Sequence, residues 1–419
     1  MKHRPFSALA VGIAGAVLVV LLAHPVWASP SYKILHQFGK STDGAGPYGV
    51  TLGADGALYG STPAGGTGQG CNGYGCGTVF QMTRQRNGTW TETVLYSFPG
   101  TGQDGYWPRA QVIQDAARNL YGTTSRGGAY DVGTVFEAAP RSGGWAESVL
   151  YSFGTQPNSG GEPRAGLVTD GAGNLYGTAG GGAYNCGVVF ELTRGSDGWE
   201  ETVLYAFGGS TPNDGCQPYA SVIFDPDGNL CGTTTAGGGY SCGSASCGTV
   251  YELTPTSGGG WKEIILHRFR NSRQDGSWPD ASLLRDARGN LYGTATNGGT
   301  HGGVVFELTP KAKGRWKETI LYDFQGGADG WLPSAGVVMD KSGNLYGTTD
   351  GGGWNGCGVI YKLAPLPKGQ WTYTVLHTFY GIDGCSPAGN LIIDKKGNLY
   401  GGTVLGGDYG GGVVFELTP

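Results

Sequence analysis

Residues 119–124 read "NLYGTT", and near-copies of this hexapeptide return along the whole chain. They are "NLYGTA" at 174–179, "NLCGTT" at 229–234, "NLYGTA" at 290–295, "NLYGTT" at 344–349 and "NLYGGT" at 398–403, with a looser "ALYGST" at 57–62. The seven copies begin 62, 55, 55, 61, 54 and 54 residues apart, a spacing that marks a repeat architecture. Each copy sits inside the same series of four short runs. An alternating run such as "ASVIFD" (220–225) ends in Asp, and a D-x-x-G-N turn leads into the hexapeptide. A glycine-rich loop follows, then a run such as "GTVYELT" (248–254), then one such as "WEETVLYAF" (199–207). We label these runs A, B, C and D.

The runs are rich in β-branched and aromatic residues, and Gly, Asn or Pro punctuates every gap, so each reads as a strand. No stretch outside the N-terminal segment carries sustained helical periodicity. One antiparallel four-stranded sheet per repeat is the pattern of a propeller blade. The expected fold is therefore an all-β, seven-bladed β-propeller. Residues 32–38, "YKILHQF", match the D run at 92–98, while the chain finishes after a C run at 413–418. Seven D runs exist only if the N-terminal one completes the last blade, which closes the ring and removes its open edges. A single propeller domain over 29–419 follows, with its last blade made of 387–418 and 32–38.

The repeat core, "GNLYGTT" followed by paired glycines and a "GTVFEL"-like strand, resembles the GloVer-type tandem repeat of bacterial "choice-of-anchor" secreted proteins. The resemblance covers residues 32–419 and implies export and a repeat fold, with no defined biochemical role. Relatives with a C-terminal sorting tail differ from this chain, which ends at Pro419, so surface anchoring is not expected.

Composition supports export. Lys2, His3 and Arg4 precede an apolar run over 6–23, and Val26 and Ala28 suit signal-peptidase cleavage before Ser29. Residues 1–28 are thus read as a signal peptide, and an extracellular or periplasmic protein is expected. The formal charge is −5, and −7 without Lys2 and Arg4, with no basic patch for nucleic acid. A monomer with no membrane contact after cleavage is expected.

The nine cysteines fall into repeat register. Cys76, Cys186, Cys247 and Cys357 each directly precede strand C. Cys71 and Cys242 lie five positions upstream in the two longest B–C loops, whereas Cys216 and Cys385 lie in the D–A loops that follow the other two. Because B–C and D–A loops emerge at the same end of an up-and-down blade, four disulfides are predicted: Cys71–Cys76, Cys186–Cys216, Cys242–Cys247 and Cys357–Cys385. Cys231 replaces the Tyr of "LYG" and is expected to pack as a buried thiol. Zinc would need four convergent ligands, and the x4 spacing without a nearby histidine does not supply them, so no metal site is assigned.

Candidate contact residues lie in the same two loop sets. Tyr130, Tyr184, Tyr240, His301, Trp354 and Tyr409 follow the B–C loop glycines, and Trp107, Trp278 and Trp331 stand in D–A loops. Such rings suit stacking on sugars or peptide side chains, although recurrence in register also suits blade packing. Glu162 in "GGEP" takes the place of the "DG" aspartates Asp43, Asp104, Asp214, Asp275, Asp329 and Asp383, and marks an asymmetry. That carboxylate ring admits calcium as a candidate ion, or acid–base chemistry, but Asp-Gly is also a common turn pair. No cofactor motif is present. His36, His267 and His377 share a position with Tyr96, Tyr151, Tyr205 and Tyr322, which argues against catalytic histidines, and no nucleophile–base motif occurs. The expected function is binding of a glycan, peptide or cell-surface partner through the B–C/D–A face. The alternatives are a hydrolase or lyase using loop carboxylates, and a structural or adhesive repeat protein.

Overall fold

A computed structural model describes residues 29–40, 42–71, 73–208, 214–242, 245–270, 272 and 274–419. The expected signal peptide, residues 1–28, lies outside them. The chain is a seven-bladed β-propeller of four-stranded antiparallel blades.

Blade 1 runs A to D as Val50–Leu52, Leu58–Thr62, Thr78–Arg84 and Trp90–Ser97. Blade 2 is Ile113–Gln114, Leu120–Thr124, Thr134–Arg141 and Gly144–Ser152; blade 3 is Val168–Thr169, Leu175–Gly181, Val188–Arg194 and Trp199–Ala206. Blade 4 is Ile223–Phe224, Leu230–Thr234, Thr249–Pro255 and Trp261–Arg268; blade 5 is Leu284–Arg285, Leu291–Ala295, Val304–Lys311 and Arg315–Asp323. Blade 6 is Val338–Met339, Leu345–Thr349, Val359–Pro365 and Trp371–Thr378. In blade 7, strands Cys385–Ile393, Leu399–Leu405 and Val413–Thr418 are completed by Ser31–Gln37, which pairs antiparallel with Val413–Thr418. The N-terminal strand thus closes the ring as expected.

The repeat residues are explained by packing between blades. The glycine of "LYG" lets the strand C aromatic lie flat on the backbone: a Cβ at Gly122 would meet the Phe136 ring at 2.6 Å. Each of these buried rings also receives the strand D phenylalanine of the preceding blade. Phe98 meets Phe136 at 5.3 Å and Phe153 meets Phe190 at 5.2 Å, near-perpendicular contacts that favour aromatic pairs. The tryptophans that open strand D reach back in the same way, Trp145 to Tyr59 at 6.5 Å and Trp371 to Tyr292 at 6.4 Å. In blade 4 Cys231 stands where this tyrosine would be; it is buried, outside any disulfide, and packed in the cluster against which Trp316 rests. The core is therefore a ring of inter-blade clusters.

Strand D carries one feature the repeats do not announce. In blade 2, Val135 pairs with Tyr151 but Phe136 pairs with Val149, leaving Leu150 as a bulge. The same register shift recurs in the strand C–D pairing of the other six blades. A bulge adds local twist to the bulged strand.

Candidate functional site

The site is built by a joint at the start of strand A. Each D–A loop ends in x-Pro-x, and the residue before proline is left-handed: φ is 60° at Trp107, 49° at Glu162, 62° at Gln217, 59° at Trp278, 55° at Leu332 and 54° at Ser386. Pre-proline residues ordinarily favour extended backbone, so these positions are held by their surroundings. The holding contact is a hydrogen bond to the B–C loop of the preceding blade. Trp107 N donates to the Cys76 carbonyl at 3.1 Å, Gln217 N to Cys186 at 2.6 Å, Trp278 N to Cys247 at 2.9 Å and Ser386 N to Cys357 at 3.0 Å. The proline then stacks on the glycine that opens strand C, where a Cβ at Gly248 would meet Thr234 O at 2.3 Å and Pro279 Cδ at 2.8 Å.

This joint places the residue after each proline at the tunnel mouth. Tyr48, Arg109, Arg164, Tyr219, Asp280, Ser334 and Ala388 line one cavity of about 270 Å3. In the same cavity, Gln111 Nε2 ties blade 2 to blades 1 and 7, donating to the Val50 carbonyl at 3.0 Å and the Asn390 carbonyl at 2.8 Å. Asn390 Oδ1 accepts from Gly336 N at 2.8 Å. A second cavity of about 540 Å3 adjoins the first, sharing Arg164 and Tyr219 and adding Glu162, Asn185 and Gln217.

The ring is uneven in charge. Arg164 lies over the Tyr219 ring at 4.7 Å, and Glu162 bridges Arg126 at 2.7 Å and Arg164 at 3.6 Å. Arg109 has no ion pair among the described residues, and its Nε is shielded without a hydrogen-bond partner. Across the mouth, Asp280 Oδ1 is likewise shielded and unpaired. Burial, with some help from nearby Asp350, pushes the Asp280 carboxyl up to about 7.

The residues singled out from sequence occupy different places. Trp278 is largely structural: its Nε1 donates to Ser246 O at 3.1 Å and its ring packs on the blade 4–5 core. Trp107 is half-buried, with Arg109 5.9 Å from its ring. Trp331 sits one position earlier than these two, beside Gly351, because Leu332 precedes that proline. Tyr130, Tyr184, Tyr240, Trp354 and Tyr409 are exposed, as is His301. Tyr130, Tyr184 and Tyr409 lie with their Cβ atoms against Gly154, Gly208 and Gly39, just past strand D, the outermost strand. These three thus lie on an outer rim away from the tunnel. Glu162 borders the second cavity but does not replace a "DG" aspartate. Ser159 does, accepting from Gly154 N at 3.0 Å, while Glu162 aligns with Trp107 and Trp278. The residue after proline was not singled out from sequence, although its variation within an otherwise regular repeat is a legible signal.

Residues 26–246 and 240–419 match the Gloeobacter/Verrucomicrobia repeat family. The chain belongs to this family. A search of curated proteins found no match. Among solved structures, the crystal structure of an ancestral GH74 enzyme is similar, with a TM-score of 0.58 and 12% identity. The match covers 93% of this chain and 51% of that one, so the chain spans about half the enzyme's length and the likeness concerns the fold.

Within this Gloeobacter/Verrucomicrobia repeat, the "DG" aspartates serve blade joints. Tyr96 OH donates to Asp104 at 2.6 Å and Tyr322 OH to Asp329 at 3.0 Å, while His377 bonds Asp383 at 2.9 Å. Loop amides add to these, such as Gly208 N on Asp214 at 2.8 Å. A strand D glutamate of the next blade faces several of these aspartates. Burial raises the pKa of Glu92 to about 7, with Asp43 adding to it. Burial and the facing Asp104, Asp214 and Asp275 raise Glu147, Glu263 and Glu318 likewise. His267, Asp275 and Glu318 offer three ligand atoms within 4.8 Å of one another, but they form the joint in which sister blades place tyrosine. The aspartates of D-x-x-G-N are turn residues: Asp115 accepts Asn119 N at 2.8 Å and Asn119 Nδ2 at 2.9 Å.

All four predicted disulfides are present, and Cys231 is free and buried. Four disulfides fit an oxidising, extracellular setting. Among the described residues no helix is long and apolar enough to cross a membrane.

Proposed function

We propose that this is an exported binding protein that holds a glycan, peptide or surface partner at the tunnel mouth on its B–C/D–A face. The observation that carries this reading is the ring of residues after the seven prolines. The joints behind it repeat almost unchanged, yet the ring itself varies from tyrosine to arginine, aspartate, serine and alanine. Uniform joints holding varied side chains around a cavity suit recognition, because a ligand needs an asymmetric surface. Four disulfides and the inter-blade bonds brace this face, which lowers the ordering cost of binding.

Glycan and peptide arrays probed with the native chain and with Arg164→Ala/Tyr219→Ala test the reading. Signal on at least one ligand class, lost in the double variant, is expected. Signal that survives it would move the site elsewhere. A hydrolase reading rests on Asp280 and its raised carboxyl. Release of fragments from a bound polymer, abolished in Asp280→Asn, would establish it.

A further inference from the structure

We infer that the ligand of the tunnel mouth is an acidic glycan, with a uronate carboxylate seated against Arg109 and Arg164 and a sugar ring on Tyr48 or Tyr219. The inference rests on the binding reading above and names its ligand class. Three arginines, Arg109, Arg126 and Arg164, gather on blades 2 and 3 of a chain whose net charge is −5. Glu162 lies closer to Arg126, at 2.7 Å, than to Arg164, at 3.6 Å, and Arg109 has no carboxylate among the described residues. The arc therefore keeps a net positive charge where it lines the cavity. Arg109 lines the cavity without an ion pair among the described residues, and a carboxylate is the acceptor whose geometry matches a guanidinium.

The flanking residues favour a sugar over a peptide. Tyr48 and Tyr219 stand on either side of the arc, offering rings and hydroxyls together. Asp280 lines the same cavity across the mouth, and a carboxyl group there suits a sugar hydroxyl. A peptide added by main-chain pairing would need an exposed strand edge, and strand A has two residues in each of blades 2 to 6. The adjoining 540 Å3 cavity lets an oligomer continue past Arg164.

The test is equilibrium binding of oligogalacturonate and of the same oligomer methyl-esterified, by calorimetry at two salt concentrations. Arg109→Ala and Arg164→Ala are compared with the native chain. Both variants should fold, because blades 6 and 7 carry serine and alanine at this position. The acid form should bind, weaken with salt, and lose on the order of ten- to a hundred-fold in affinity in each variant, as charge-assisted contacts do. Equal binding of the esterified form would overturn the anionic assignment and leave the binding reading standing. Binding of an acidic peptide without the uronate would overturn the glycan assignment. Failure of both oligomers, with arrays also blank, would bring down the inference and the function together.

Discussion

Glu147, on strand D of blade 2, is half-buried facing Asp104, and the two carboxyl groups are easiest to hold there with a proton between them. Glu263 and Glu318 repeat the arrangement, and Glu92 stands near Asp43 with its carboxyl pushed up to about 7 by burial. A glutamate whose folded pKa is raised binds more protons folded than unfolded. Its stabilisation is complete below the unfolded value near 4.5 and is lost as pH rises through the folded value. The turn aspartates act oppositely. Burial alone would raise Asp340, but hydrogen bonds from Asn344 and Tyr346 outweigh it and lower its pKa, so its contribution is lost in acid. Burial also lowers His36 and His377, which disfavours the fold further on the acid side. Above pH 6.5 these histidines no longer oppose the glutamates. We therefore expect Tm to fall between pH 6.5 and 9, and Glu147→Gln, which keeps a donor toward Asp104, to reduce that slope. A Tm that rises over this window, or a slope untouched by the substitution, would contradict the assignment. At the same scale, Gly248→Ala should cost more than about 2 kcal/mol in urea unfolding, because φ is +90° and the new Cβ would strike Thr234 O.

The disulfides act at the level of the loop they close. Cys186–Cys216 spans 30 residues and joins a B–C loop to the D–A loop leading to the next blade, whereas Cys242–Cys247 spans five within one loop. Chain-entropy scaling gives about 3–4 kcal/mol for the first and about 2 kcal/mol for the second. Double alanine variants unfolded in denaturant should show that order, and equal losses would mean that the cross-blade link adds nothing. Much of this element-scale organisation was legible in the sequence. Four strands per blade and the cysteine pairing follow from runs that recur in register. Two features were not. The strand D bulge involves no special residue, since Leu150 looks like any apolar strand position. The left-handed residue before proline is Trp, Glu, Gln, Leu or Ser, none of which signals positive φ. Reading Glu162 as a "DG" aspartate missed the register: counting back from Pro163, Ser159 holds the aspartate position and Glu162 the one before the proline. The outer-rim aromatics were found by recurrence, and recurrence selects for blade packing as readily as for contact. The ring after the prolines is found by the opposite criterion, variation inside a fixed frame.

For the whole molecule, closure and the candidate site are linked, because the tunnel mouth exists only while seven strand A segments face one axis. Ser31–Gln37 pairs with Val413–Thr418, and Tyr32 stacks on His377 at 3.8 Å with an interplanar angle of 4°. Removing residues 29–38 should expose the Val413–Thr418 edge and shift the size-exclusion peak from that of the native chain to larger species. A cooperatively folding truncation that elutes with the native chain would show that the ring holds without its joint. We propose that the asymmetric ring after the seven prolines is where this Gloeobacter/Verrucomicrobia repeat protein meets its ligand, and hydrogen exchange with the tightest array ligand bound tests this most directly. New protection is expected to centre on residues 107–111, 162–166 and 217–221, with the A–B turns on the opposite face unchanged. Protection confined to those turns or to the outer aromatic rim would contradict it.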